Sequence, residues 1–373
     1  MNSVEISSHS KPNFKNLDGI RFIAFLGVFF SHTFYSTNTA NTQSTLYQAA
    51  NFLASPWGDI GLSVFFVMSG FLITYLLMSE RQVTGRVHVL SFYARRILRI
   101  WPLYFVMVAF NFFVYASITG HHELVNRQLP FYFFYANMDV IYHGFSNGII
   151  DPLWAISVEE QFYLLLPLVM LLVPNKKLGF IFISTVIASQ IFRIVHYSEA
   201  PVIFFHSISA AFEIALGGLA AWLMFFDTKA KTFVASISSS AIAVIYGLFT
   251  MLILFQNYLY PPSQLVVLVL IAQLYALFII LEQSYSTNSF IKIGRVKWVS
   301  FLGKYSYGFF CYHILCIRLV EAIVLKVGAT DVVTKALLVP ISGLVLTILV
   351  GIVSYHAFEI HFLKLKKKFS YLN

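Results

Sequence analysis

The residues best suited to chemistry begin with a histidine inside the first apolar segment, Asn16–Phe34. Asp18 and Arg21 stand at the entrance of this helix-length run, and His32 lies deep inside it. At about 100° per residue, Arg21 and His32 fall within about 20° of one another and about 16 Å apart along the axis. Asp18 falls about 40° from His32, on the same face. An imidazole in this position can act as a general base, or it can simply hydrogen-bond a neighbouring helix.

A second group is an arginine cluster in Ser91–Phe105, where Arg95, Arg96 and Arg99 fall within two helical turns. The spacing predicts that two of the three share a helical face. Guanidinium groups suit phosphate, and three of them can clamp a polyanionic ligand. The alternative is a basic cluster that contacts lipid headgroups. Pro102 favours the first turn of a helix, so we expect the next span to begin there.

A third group is a pair of carboxylates, Glu159 and Glu160, about two turns into an otherwise apolar helix that starts near Asp151. Adjacent side chains point about 100° apart, so the two carboxylates cannot face the same neighbour. Because unpaired charges at that depth are costly, at least one should face an aqueous cavity or a cation. The alternative is a structural ion pair with Arg193 or Arg318.

A second intramembrane histidine, His313, lies in the segment Gly303–Ile314. Counted from the predicted start of its span, it is about 20 Å deep, which is comparable with the depth of His32. His313 can either support the site of His32 or simply pack against a neighbouring helix through a hydrogen bond.

These groups require a membrane bundle to position them. Of the 373 residues, 58% are hydrophobic and only 11% are charged, whereas soluble domains carry roughly 25% charged residues. With a mean hydropathy of +0.76, the composition predicts an integral membrane protein. Apolar runs of about 20 residues mark spans, and the sequence predicts ten of them: 17–36, 57–79, 101–119, 152–173, 178–196, 202–226, 233–255, 263–282, 299–327 and 336–360.

Basic residues concentrate in alternate loops, which predicts that both termini are cytoplasmic. The net charge of +9 is therefore a topology signal, and its division among loops argues against a nucleic-acid partner. The polar segment Met1–Lys15 is not followed by a small-residue cleavage site, so we expect the first span to be retained. Cys311 and Cys316 share one apolar segment, where we expect neither a disulfide nor a metal site.

Two other features concern packing. The long loop His121–Ile150 contains Phe131–Asn137, which is too short to span and predicts a re-entrant or interfacial segment. The second span carries small residues that allow close approach of another helix, namely Gly61, Ser63, Ser69 and Gly70.

Together these stretches resemble the acyltransferase-3 family of bacterial membrane O-acyltransferases. The matching segments keep the family's order and cover nearly the whole chain: LDGIR…H (Leu17–Arg21 to His32), GLSVFFVMSGFLI (Gly61–Ile73), FYARRILRIWPLY (Phe92–Tyr104), LWAISVEEQFYLLLP (Leu153–Pro167) and GKYSYGFFCYHI (Gly303–Ile314). The resemblance implies an all-α, polytopic membrane protein of about ten transmembrane helices. We expect one acyltransferase domain over residues 1–373, without the SGNH-type hydrolase domain that some members carry.

The resemblance also implies an activity. Members transfer an acyl group, often acetyl, from cytoplasmic acyl-CoA to a sugar hydroxyl of lipopolysaccharide or another surface glycan or glycolipid. We therefore expect a protein of the bacterial cytoplasmic (inner) membrane, with acetyl-CoA as donor and no metal. His32 matches the family's catalytic candidate, and Arg95, Arg96 and Arg99 match arginines linked to the donor. Arg21 is expected at the same cytoplasmic end of the bundle as these three arginines and is a further candidate for binding the donor.

The chemistry of the residues agrees with this expectation. Arginines at the cytoplasmic face can hold the phosphates of CoA, while its long arm carries the thioester into the bundle. His32 can then act as general base on the acceptor hydroxyl or form a covalent acyl-imidazole. The remaining candidates are expected to bind the acceptor at an outer vestibule or to support the site: Asp18, Trp154, Glu159, Glu160 and His313.

Two other functions use the same residues. A glycolipid transporter or flippase would use His32, His313 and the carboxylates as a proton relay, and inverted repeats would favour it; the sequence shows none clearly. A non-catalytic sensor is the third alternative. The sequence specifies neither the acceptor nor the length of the acyl chain.

Overall fold

The protein is a bundle of α-helices in the computed structural model, which describes residues 14–34, 44–259, 264–329 and 331–370. No strand occurs within these ranges. The principal helices, in chain order, are α1 (Lys15–Thr33), α2 (Thr45–Ala54), α3 (Pro56–Thr84), α4 (Val89–Ala109), α5 (Gln128–Tyr132), α6 (Ala136–His143), α7 (Trp154–Leu172), α8 (Leu178–Val195), α9 (Ala200–Phe205), α10 (Ser207–Phe226), α11 (Thr228–Ser236), α12 (Ser239–Leu254), α13 (Leu265–Tyr285), α14 (Lys297–Gly303), α15 (Ser306–Val327), α16 (Val339–Ser354) and α17 (Ile360–Lys366).

The predicted all-α membrane fold is confirmed. Eight helical segments within the described residues are long and apolar enough to cross a membrane. A ninth candidate is the pair α11 and α12, which meet at 84° where the sequence predicts a single span over 233–255. The first predicted span, 17–36, corresponds over its described residues to α1, which carries Asp18, Arg21 and His32 but is not among those eight segments. Residues 35 and 36 of that prediction lie outside the described residues. The cytoplasmic location of the termini remains a prediction from the loop charges.

Two predicted boundaries are wrong. The run 299–327 is two helices, α14 and α15, separated at Lys304 and Tyr305. The third span does not begin at Pro102, because α4 runs unbroken through that residue from Val89. Pro102 removes the backbone donor that would bond the carbonyl of Leu98, four residues earlier. Nearby, the Tyr307 hydroxyl of α15 donates to the carbonyl of Ile100, at 2.6 Å, and joins α15 to this part of α4.

Helix α3 lies at the centre of the bundle and packs closely on two others. A Cβ added to Gly61 would lie 2.4 Å from the carbonyl oxygen of Ala24 in α1. A Cβ added to Gly70 would lie 2.0 Å from the carbonyl oxygen of Ile214 in α10. The prediction that small residues of this span allow close helix approach is therefore confirmed. This packing fixes the height of α1, and of its polar residues, against the rest of the bundle.

The segment Phe131–Asn137 turns into the bundle between α5 and α6. Phe134 has a positive φ of 54°, and its ring lies 5.4 Å from the Trp101 ring and 4.8 Å from the Tyr104 ring, centroid to centroid. Phe133, next to it, stays exposed. The segment thus places one aromatic ring against α4, which agrees with the expectation of a short non-spanning segment.

Candidate functional site

Two histidines form the centre of the site. His32 of α1 and His313 of α15 lie side by side, with 3.0 Å between His32 Nδ1 and His313 Nε2. The other ring nitrogen of His313, Nδ1, lies 2.7 Å from the carbonyl oxygen of Phe310. His313 is fully buried, whereas His32 keeps part of its surface exposed. Their similar depth is visible in the sequence, but their contact, across 281 residues of chain, is not.

Asp18 and Arg21 form a salt bridge one turn apart at the start of α1. This is the local pairing that their spacing allows. Arg21 also lies close enough to Arg96 and Arg99 of α4 to interact with them electrostatically. Helix α1 is continuous from Lys15 to Thr33. Arg21, which lies near Arg96 and Arg99, is therefore on the same helical face as His32, farther along the helix.

The three arginines of α4 have different surroundings. Arg95 is paired with Glu80 of α3, at 2.7 Å, and donates to the carbonyl of Phe369, at 2.6 Å. The Arg96 guanidinium lies over the Tyr163 ring, 5.3 Å from its centroid, and its Nε is buried without a hydrogen-bond partner. Arg96 and Arg99, rather than Arg95, therefore converge with Arg21.

The two carboxylates of α7 face different helices, as their adjacent positions predict. Glu159 accepts a hydrogen bond from Ser69 of α3, at 2.6 Å, and Tyr163 donates to the same serine, at 3.0 Å. Glu160 accepts from the indole N–H of Trp101 in α4, at 2.9 Å, and its other oxygen is buried without a partner.

The alternative of an ion pair with Arg193 or Arg318 is wrong. Arg193 lies 3.5 Å from Glu213, and Arg318 lies 3.3 Å from Glu321. Glu159 and Glu160 accept hydrogen bonds from neutral donors instead, and Arg96 acts on both electrostatically. They therefore belong to the polar interior that also holds the arginines.

Trp154 lies in the packed core. Its side chain is only 6% exposed, and its ring contacts the rings of Phe66 and Phe205 edge-on. In this conformation its indole supports the start of α7 rather than lining an open vestibule.

The sequence did not indicate the roles of some polar residues of the interior. Ser69 was predicted only as a small packing residue, and Trp101 and Tyr163 were not predicted at all. Their hydrogen bonds show that Ser69 bonds Glu159, that Tyr163 bonds Ser69 and that Trp101 bonds Glu160. A separate network joins Arg193 to three helix positions, namely Ser209, Glu213 and Gln273. Its signal in the sequence is a charged residue inside each of two apolar runs, Arg193 and Glu213, which indicates a buried partner but not which partner.

Comparison with known proteins agrees with this geometry. An acyltransferase-domain family model, that of acyltransferase-3, matches residues 14–356. The chain belongs to the acyltransferase-3 family. That match contains α1, the arginine cluster, the carboxylates of α7 and both histidines. The resemblance inferred from the sequence motifs is thereby confirmed.

Curated members of this family provide named relatives. The peptidoglycan O-acetyltransferase OatA of Listeria monocytogenes is 25% identical over 365 residues, which cover 88% of this chain and 55% of that protein. The O-acetyltransferase OatA of Staphylococcus aureus is 27% identical over 322 residues, covering 80% and 49% respectively. The chain thus spans about half the length of the curated relatives it matches. No solved structure matches it.

Proposed function

We propose that this protein is a membrane O-acetyltransferase that moves an acetyl group from acetyl-CoA to a sugar hydroxyl of a cell-surface glycan or glycolipid. The observation that carries the proposal is the position of His32. It lies inside a membrane bundle, bonded to a second histidine, on the helix face that begins among the arginines of α1 and α4. The distribution of basic residues among the loops predicts that this arginine end faces the cytoplasm, in the bacterial cytoplasmic membrane.

The donor would bind at the arginines. Arg21, Arg96 and Arg99 lie near one another. Asp18 forms a salt bridge with Arg21, and the carboxylates of Glu159 and Glu160 act electrostatically on Arg96. Guanidinium groups suit the phosphates of acetyl-CoA, so these arginines are the proposed donor site. Arg95 is engaged by Glu80, so its contribution would be to the local field rather than to a direct phosphate contact.

The acceptor would be a sugar hydroxyl. The name of the Listeria relative specifies peptidoglycan, so the glycan strands of peptidoglycan are the first acceptor to test. Glu159 and Glu160 would contribute carboxylate oxygens that can accept hydrogen bonds from sugar hydroxyls.

The reaction follows from these positions. The His32 imidazole takes the proton of the acceptor hydroxyl while the oxygen attacks the thioester carbonyl. The C–S bond then breaks, and the CoA sulfur leaves with the proton that the imidazolium returns. The products are an acetyl ester and free CoA. A covalent acetyl-imidazole on His32 is the variant of this mechanism that two-step kinetics would reveal.

The test uses membranes that contain the protein, radiolabelled acetyl-CoA and purified peptidoglycan sacculi. We expect label in the sacculi and its loss in His32→Ala. The matched control is His196→Ala, because His196 lies just after the end of α8 and is hydrogen-bonded to the exposed Glu199, at 2.7 Å, rather than to any residue of the proposed site. Full transfer of label by His32→Ala would refute the mechanism, and movement of glycolipid across liposomes without CoA would favour a flippase instead.

A further inference from the structure

The two histidines are linked in a hydrogen-bond chain whose direction can be assigned. It runs from the Phe310 carbonyl to His313 Nδ1, through the ring to His313 Nε2, and then to His32 Nδ1. A carbonyl oxygen can only accept a hydrogen bond, so His313 Nδ1 must carry a proton. The assignment of the other nitrogens depends on the charge of His313.

His313 is neutral. Its side chain is fully buried, and it has no carboxylate within salt-bridge distance among the residues that the structure describes. Charging an imidazole there would place an unpaired cation in the apolar interior, which is unfavourable. A neutral ring with its proton on Nδ1 has a lone pair on Nε2. His32 Nδ1 must therefore be the donor of the 3.0 Å bond between the rings.

We infer that His313 is a positioning residue that holds His32 in the tautomer protonated on Nδ1, so that Nε2 of His32 is the atom that accepts the proton of the acceptor hydroxyl. This inference rests on the proposed function and extends it to a named atom.

The direction of the chain has a second consequence. When His32 takes a proton on Nε2, its Nδ1–H becomes a stronger donor, and the Nε2 lone pair of His313 stabilises the cation. The proton cannot continue beyond His313, because the chain ends on the Phe310 carbonyl. The pair is thus built to orient and stabilise one base, and it does not form a proton relay through Nδ1 of His313.

A spectroscopic test reads the tautomer without any activity. The full chain, labelled with ¹⁵N-histidine and reconstituted in liposomes, is measured by solid-state NMR, and the His32 signals are identified by their loss in His32→Ala. We expect a protonated Nδ1 and an unprotonated Nε2 for His32 in the wild type. The reverse tautomer, or a cationic His313, would overturn the inference.

A kinetic test compares two substitutions at position 313. His313→Gln keeps an amide oxygen that can accept from His32 Nδ1–H, whereas His313→Leu fills similar space without an acceptor. We expect kcat to fall about 10²-fold in His313→Leu, because a positioned general base contributes about 10²–10⁴-fold. The KM for acetyl-CoA should stay unchanged, and His313→Gln should recover most of the rate.

The outcomes separate this inference from the proposed function. A His313→Leu protein with wild-type kcat, or a His313→Gln protein as slow as His313→Leu, would refute the role of His313 while leaving His32 as the base. Retained transfer by His32→Ala would refute His32 as the base, and absence of label transfer by the wild-type protein would refute the proposed function. Thermal unfolding of each purified variant shows whether a lost rate reflects a lost fold, and the wild-type NMR result stands in either case.

Discussion

The indole N–H of Trp101 donates to Glu160 across α4 and α7, with 2.9 Å between nitrogen and oxygen. The second oxygen of Glu160 is buried and has no hydrogen-bond partner. Trp101 is therefore the one side chain, among those described, that satisfies this carboxylate by a direct hydrogen bond. The pair joins the helix that carries the arginines to the helix that carries the carboxylates.

Trp101→Phe should destabilise the protein by about 1–3 kcal/mol, the cost of leaving a buried polar group without its partner. The measurement is the free energy of unfolding of the purified protein in detergent. Trp298→Phe is the matched control, since Trp298 is 62% exposed. Equal losses in the two variants would contradict a special role for the bond between Trp101 and Glu160.

Arg96→Ala and Arg99→Ala should each raise the KM for acetyl-CoA about tenfold or more, because a hydrogen bond to a charged group contributes about 1.5–3 kcal/mol. The kcat at saturating donor should change less. Lys177→Ala, which removes an exposed cation at the predicted cytoplasmic end, should leave KM unchanged. Donor binding elsewhere would be indicated if all three variants kept the wild-type KM.

Phe134→Gly should be more stable than Phe134→Ala by about 1 kcal/mol, although both lose the contacts with Trp101 and Tyr104. The reason is the positive φ of 54° at this position, which costs a residue with a Cβ about 1–2 kcal/mol. Phe133 has a φ of −108°, so the order should reverse there, with Phe133→Ala the more stable. Melting temperatures of the four variants test the prediction, and the same order at both positions would contradict it.

Arg193→Met should destabilise the protein by about 3–5 kcal/mol, because it leaves the buried Glu213 without its cation. Arg193 is 1% exposed, and it also donates to Ser209 and Gln273 at 2.7 Å each. Adding Glu213→Leu should recover part of the loss, which a double-mutant cycle on unfolding free energies measures. Strictly additive losses would show that the two charges do not stabilise one another.

Patterns within one helix were predicted well from the sequence. The shared face of Arg21 and His32 needs only the period of a helix, and the separate partners of Glu159 and Glu160 follow from their being adjacent. The helical fold and the family follow from apolar runs and from motifs in order. These features depend on residues close to one another in the chain.

Contacts between helices were not predicted. The bond between His32 and His313 depends on how α1 and α15 rotate against each other, and no local pattern contains that angle. The same holds for Arg95, which differs from Arg96 because Glu80 of α3 lies beside it. The continuation of α4 through Pro102 was not predicted either.

The contacts of Glu80 bear on how this enzyme can be re-engineered. Its carboxylate accepts from the backbone N–H of His88 at 3.1 Å and from Arg95 at 2.7 Å. Glu80 thus joins the end of α3 to the start of α4 across the short turn that begins at Gly85, where φ is 78°. These hydrogen bonds therefore hold the end of α3 and the start of α4 in a fixed relative position. A chimera designed to import the donor preference of another acyltransferase should exchange Pro56–Ala109 as a single block, because a crossover inside that turn would separate the carboxylate from the guanidinium it orients.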